Sequence, residues 1–161
     1  MTSLSSRHTF SPLARSRLSC GGGNCFADKL PASAEWLAWV KLADDAGECH
    51  FSSAELAWVT PPSGRKGHVR RISCLRIPGA MDGDATRYHP TQKPTKVQRA
   101  PIDWYTESGD DVEDWYMGAG AVIIACEQTG RIGHGMDIAH AYLAATLERL
   151  SQRGLTPRLA A

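Results

Sequence analysis

No stretch of this sequence is apolar for long. The best, AVIIAC from Ala121 to Cys126, falls far short of the ~20 residues that a membrane-spanning helix requires. The opening segment, MTSLSSRHTFSPLARSRLSC, is rich in Ser and Arg and holds no apolar centre, which excludes a secretory signal. Without span or signal, the expected location is cytoplasmic, of bacterial or phage type. Charge of one sign is also missing: 18 Lys and Arg face 17 Asp and Glu, for a net charge of +1. A general polycation is thereby excluded, and any nucleic-acid contact must come from local clustering. No Cys-x-x-Cys pair occurs among the five cysteines. A zinc set drawn from Cys20, Cys25, Cys49 and His50 would lack the tight ligand pairs of known sites, so no metal is expected. Reduced, mostly packed thiols are the simpler reading. Internal repeats are lacking as well.

What is present suits one folded domain: 161 residues, 42% hydrophobic and 22% charged. Residues 1–19 read as an irregular leader and Gly21 to Asn24 as a turn. Trp36 to Val40 and Ala54 to Thr60 are short apolar, aromatic runs that predict two strands, with Trp36, Trp39 and Trp58 in the core. Their mutual direction is open. From Ser63 to Arg87 periodicity dissolves. Arg65, Lys66, Arg70, Arg71 and Arg76 gather there beside His68, with no acid between Arg65 and Arg76. That cluster is the candidate for phosphate contact. HPTQKP, His89 to Pro94, then opens a helical stretch interrupted by Pro101.

The carboxyl half is patterned most clearly. DVEDWYM predicts a strand, GAG a turn, AVIIACEQTG a helix, IGHGMDI a strand and AHAYLAATLERL a helix. The last carries Ala141, Leu143, Ala144, Leu147 and Leu150 near one face. Such a βαβα order implies a parallel sheet covered by helices. Glycines at the first turn, a helix N-terminus behind them and Asp137 ending the second strand are the outline of a nucleoside-cofactor site.

HPTQKP followed by a strand and an Asp-x-x-x-Gly-x-Gly turn (Asp114 to Gly120) resembles the amino-directed DNA methyltransferases, in the permuted class with the cofactor motif near the carboxyl end. GGGNCFADKLP, WLAWVK and SSAELAWVT are similar to segments preceding HPTQKP in that family. The resemblance implies an α/β, Rossmann-like S-adenosylmethionine-dependent methyltransferase fold, with an incomplete parallel or mixed sheet flanked by helices. It divides the chain into a catalytic-half remnant over 20–62, a basic loop and possible target-recognition region over 63–88, a cofactor-binding half over 89–152, and a tail. It implies that His89, Pro90, Thr91 and Lys93 wall the methionine end of S-adenosylmethionine. Asp114, Tyr116, Gly118 and Gly120 would form the turn beneath it, and Asp137 would bind the ribose. A nicotinamide cofactor is the poorer fit, because HPTQKP has no role there.

The sequence departs from the family pattern in two ways. Trp115 stands for a proline, Ala119 for a serine, and Ala121 and Val122 for two threonines. Three hydroxyls are lost at the turn, each worth about 0.5–1.5 kcal/mol, which would weaken cofactor affinity. The family's catalytic tetrapeptide, Asp, Asn or Ser before Pro-Pro-aromatic, does not occur either. Thr60-Pro61-Pro62-Ser63 lacks both ends of it. No catalytic residue is therefore assigned. The chain is expected to be a truncated, degenerate DNA methyltransferase with impaired transfer to adenine or cytosine amines of double-stranded DNA. The alternative is a non-catalytic, prophage-derived remnant that binds DNA or a partner. Exposed edges of a shortened sheet would also suit a homodimer.

Overall fold

The computed structural model describes residues 19–25, 27–41, 52–60, 68–73, 87–90, 92–156 and 158. Among them lie six strands and three α-helices. Strands β1 (Ser19–Gly21), β2 (Glu35–Val40), β3 (Ala54–Val59) and β4 (His68–Ser73) form one sheet in the order β1-β3-β2-β4. β3 runs antiparallel to β1 and β2, whereas β2 and β4 are parallel, so the sheet is mixed. Helix α1 (Thr95–Tyr105) follows, then β5 (Asp111–Asp114), α2 (Ala121–Thr129), β6 (Ile132–Gly135) and α3 (His140–Ser151). β5 and β6 pair in parallel, completing the expected βαβα unit. No helix of the described residues is long and apolar enough to cross a membrane.

β2 alternates as a half-buried strand must, with Glu35, Leu37 and Trp39 inward. Trp39 meets Ile72 of β4 and Val97, Ala100 and Trp104 of α1, which share one helical face. Trp58 is buried and donates its indole N–H to the Pro31 carbonyl at 2.9 Å, whereas Trp36 is only half-buried. On its other side α1 sets Ile102 against Ala125 and Cys126 of α2. One helix thus joins both sheets. Arg131 fastens this joint, donating to the Thr106 carbonyl and hydroxyl at 2.7 and 3.1 Å and to the Thr129 carbonyl at 2.7 Å.

Three expectations need correction. The basic segment is not wholly aperiodic: His68–Ser73 is a strand, stabilised by parallel pairing with β2 rather than by apolar alternation of its own. Its side chains split between the faces, Arg70 turning in toward α1 and Val69 and Arg71 lying exposed. Pro101 does not interrupt α1, which runs unbroken through it. The third concerns α3. Ala141, Ala144 and Leu147 are exposed, and its deeply buried residues are Thr146 and Arg149.

β6 owes its place to two glycines. A side chain at Gly135 would collide with the Met117 sulfur and lie 3.0 Å from the Ile123 Cδ1, and one at Gly133 would crowd Cys126. Bare backbone lets α2 pack directly on the strand.

Candidate active site

The site lies where β5 and β6 end. Past Asp114 the chain turns through Trp115–Gly120 before α2 begins, and the turn is tied across to β6's exit: the Met117 N–H donates to the Met136 carbonyl at 3.1 Å, and the Met136 N–H to the Asp114 carbonyl at 2.9 Å. Gly118 and Gly120 take positive φ, 53° and 71°, conformations that cost other residues about 1–2 kcal/mol. A side chain at Gly120 would also strike Thr146, whose hydroxyl would be 2.7 Å from it.

Asp137 closes the turn from the β6 side. One carboxylate oxygen accepts the Gly118 N–H and the other the Ala139 N–H, each at 2.9 Å. These bonds, Ala139's first and Gly118's next, hold its pKa below the usual carboxylate value. Asp114 behaves in the opposite sense. Burial pushes its pKa up, the Tyr116 N–H at 3.1 Å opposes this, and the negative charge of Asp137 adds to the rise. A carboxylate has about four acceptor positions, so Asp137 keeps capacity for a ligand's hydroxyls after both backbone bonds are made.

His89 approaches from outside this unit. Its ring lies 3.6–3.9 Å from where a Gly118 Cβ would stand, and it packs on Tyr142 of α3 at 4.2 Å between centroids. Tyr88 beside it meets Gln152 through bonds of 2.9–3.1 Å. The segment after His89 curls back: the Gln92 N–H donates to the His89 carbonyl at 3.0 Å, and the Gln92 side chain accepts from the Tyr88 N–H at 2.9 Å. Trp115, Tyr116, Met136 and Ile138 rim the turn with exposed apolar surface, Tyr116 at 88% and Ile138 at 99%.

Of the residues expected to hold a cofactor, His89, Asp114, Gly118, Gly120 and Asp137 come together. Pro90 is exposed at the margin and Tyr116 projects outward. Lys93 is engaged elsewhere, 3.3 Å from Glu55 of β3, whose other oxygen meets the nearly buried Lys41 at 2.6 Å. Thr91 lies outside the described residues. So do Arg65, Lys66 and Arg76 of the basic cluster. Arg70 lies 3.2 Å from the buried Glu35 and over the rings of Trp104 and Tyr105. Sequence reasoning missed Met117, Tyr142, Thr146 and Arg149. The available signal was Thr146 and Arg149 themselves, polar side chains recurring at i and i+3 in an otherwise Ala- and Leu-rich helix.

Two carboxylates, outward-exposed aromatic surface and a glycine turn opening a helix can receive a ligand that combines hydroxyls, a cationic centre and a flat ring. Comparison with known proteins bears on which. A family model described as DNA methylase, of the N6 and N4 methyltransferases, matches residues 32–148. The chain belongs to this family. Over 62 residues it is 37% identical to the type II methyltransferase M.HpaI of Haemophilus parainfluenzae, a match covering 38% of the chain and 20% of that protein. The M1.HpyAVI–SAM complex superposes with a TM-score of 0.55 at 23% identity, over 71% of this chain and 60% of that one. The cytosine-N4-specific PvuII DNA methyltransferase does so with 0.53 at 17% identity, over 79% and 52%. The fold of this member of the N6/N4 DNA methylase family is therefore that of the S-adenosylmethionine-dependent methyltransferases. Its matched part spans about three fifths or less of these relatives' length.

Proposed function

We propose that this methylase chain binds S-adenosylmethionine at the β5–β6 exit and presents it toward DNA, with methyl transfer to an adenine or cytosine amine as the reaction served. The observation that carries this is the convergence of His89, Gly118 and Asp137, residues from three separate segments, around one turn. The residues fit the cofactor. Asp137 has acceptor capacity for ribose hydroxyls, and Asp114 beside it supplies negative potential favourable to a cation. Tyr116 offers a flat aromatic face and Ile138 exposed apolar surface for an adenine ring. When bound, S-adenosylmethionine supplies an electrophilic methyl on a sulfonium; the chain's residues orient it and exclude water from one side.

Affinity and turnover are both expected to be reduced. Trp115, Ala119, Ala121 and Val122 offer no hydroxyl at the turn, and the 161 residues hold no Asp, Asn or Ser before Pro-Pro-aromatic to orient the target amine. A role confined to binding DNA or a partner is the second reading, favoured by that same lack. Among the described residues of the basic cluster, Arg71 lies on the exposed face of β4 and Arg70 meets Glu35. Calorimetric titration with S-adenosylmethionine, followed by a methyl-transfer assay on mixed-sequence double-stranded DNA, tests both claims. Saturable binding with little turnover is expected. Binding no tighter than to an unrelated protein would refute the cofactor assignment, and robust turnover would refute the impairment.

A further inference from the structure

α3 presents a polar stripe to the site where the sequence pattern places an apolar one. Thr146 is 3% exposed and Arg149 fully buried. They stand one helical turn apart and donate to consecutive carbonyls of the glycine turn, Thr146 through its hydroxyl to Gly118 at 3.2 Å and Arg149 through its guanidinium to Ala119. One turn earlier along the same stripe Tyr142 packs on His89. At its far end Gln152 holds Tyr88, over whose ring the Arg149 guanidinium also lies at 6.0 Å. Both walls of the site, the glycine turn and the His89 segment, are therefore fastened to one helix face.

We infer that Thr146 and Arg149 are positioning residues that set the glycine turn in its ligand-receiving form. The inference rests on the cofactor site proposed above. Its physical basis is the rigid peptide unit. In a trans peptide C=O and N–H point in opposite directions, and no cis bond occurs among the described residues. Holding the Gly118 carbonyl against α3 turns the Ala119 N–H away from α3. Holding the Ala119 carbonyl fixes the next plane, whose N–H closes the turn onto the Met117 carbonyl at 2.9 Å. A Gly-Ala-Gly sequence has no side chain able to fix these planes itself. The donors come from α3, where burial strengthens them.

Thr146→Val keeps the shape against Gly120 and removes the hydroxyl, while Thr146→Ser keeps the hydroxyl. Arg149→Gln probes the second contact, and the Thr146 pair decides the matter if that variant fails to fold. The full chain is titrated with S-adenosylmethionine, and amide hydrogen exchange is followed at Gly118, Ala119 and Gly120. Thr146→Val is expected to weaken binding about five- to tenfold and to accelerate exchange at the turn several-fold, with α2 amides unchanged, while Thr146→Ser stays within twofold of the parent. Thr146→Val and Thr146→Ser behaving alike in exchange would overturn the inference. Exchange reads the turn without ligand, so a parent that fails to bind S-adenosylmethionine would refute the cofactor assignment and leave this test standing.

Discussion

The four-stranded sheet and the β5–β6 unit answer the same problem, charge near a core, in different ways. Around β2 to β4, side chains neutralise side chains. The buried Glu35 meets Arg70 at 3.2 Å and the Tyr105 hydroxyl at 2.7 Å, and Glu55 meets Lys41 and Lys93. At the β5–β6 exit, backbone meets side chains. Asp137 and Asp114 accept only N–H groups among their described bonds, and Arg149 donates to a carbonyl. A fully paired charge has little left for a ligand, and removing one partner strands the other. A carboxylate held by backbone dipoles keeps its charge and part of its acceptor capacity. That difference supports the proposal that the second region is the binding end and the first a scaffold.

The comparison can be broken most severely at Gly120. Gly120→Ala adds left-handed strain to a collision with Thr146 and is expected to cost about 4 kcal/mol in urea unfolding. Gly154→Ala, at similar positive φ but with nothing nearby, should cost only the strain, about 1–2 kcal/mol. Equal losses would remove Thr146 from the account. Next comes the scaffold. Glu35→Ala strands Arg70 and should cost about 3 kcal/mol, at the lower end because Arg70 is partly exposed, with cofactor affinity per folded molecule unchanged. A loss of affinity at constant stability would place Glu35 in the site. Asp137→Ala should weaken S-adenosylmethionine at least about tenfold while the chain stays folded.

The two site carboxylates give a pH test of opposite signs. Asp137 has a lowered folded pKa, so its stabilisation is complete above the ordinary carboxylate range and is lost as pH falls through the lowered value. The parent's lead in Tm over Asp137→Asn should therefore shrink on acidification below about pH 4. Asp114 has a raised folded pKa, so its ionised form is a burden at neutral pH that protonation relieves. Asp114→Asn should lead the parent near neutrality and lose that lead as pH falls. Glu55 sits with Asp137 in sign, since Lys41 and Lys93 outweigh the opposing effect of burial. Leading or lagging in the same direction for both variants would contradict the geometry. The smallest effect belongs to Leu147, half exposed on α3. Leu147→Ser should change stability by no more than about 0.5 kcal/mol, where a core leucine would cost several times that.

Local pattern determined a good deal about this protein. The βαβα order, the turn at Gly118 and Gly120 and Asp137 just past the second strand were readable, because each depends on periodicity of neighbouring residues or on backbone conformations that few residues adopt, whereas HPTQKP was legible only through its family resemblance. Tertiary structure alone decided the rest. The strand at His68–Ser73 exists through its partner β2, and pairing across 33 residues leaves no periodic trace in either strand. Arg70 and Arg71, alike and adjacent in sequence, were assigned opposite surroundings by the pleat. The buried face of α3 could not be read from its leucines, because hydrophobic periodicity reports where apolar surface seeks cover. It is silent when a helix is buried to deliver hydrogen bonds. Thr146 and Arg149 became interior only when the carbonyls of Gly118 and Ala119 arrived beside them.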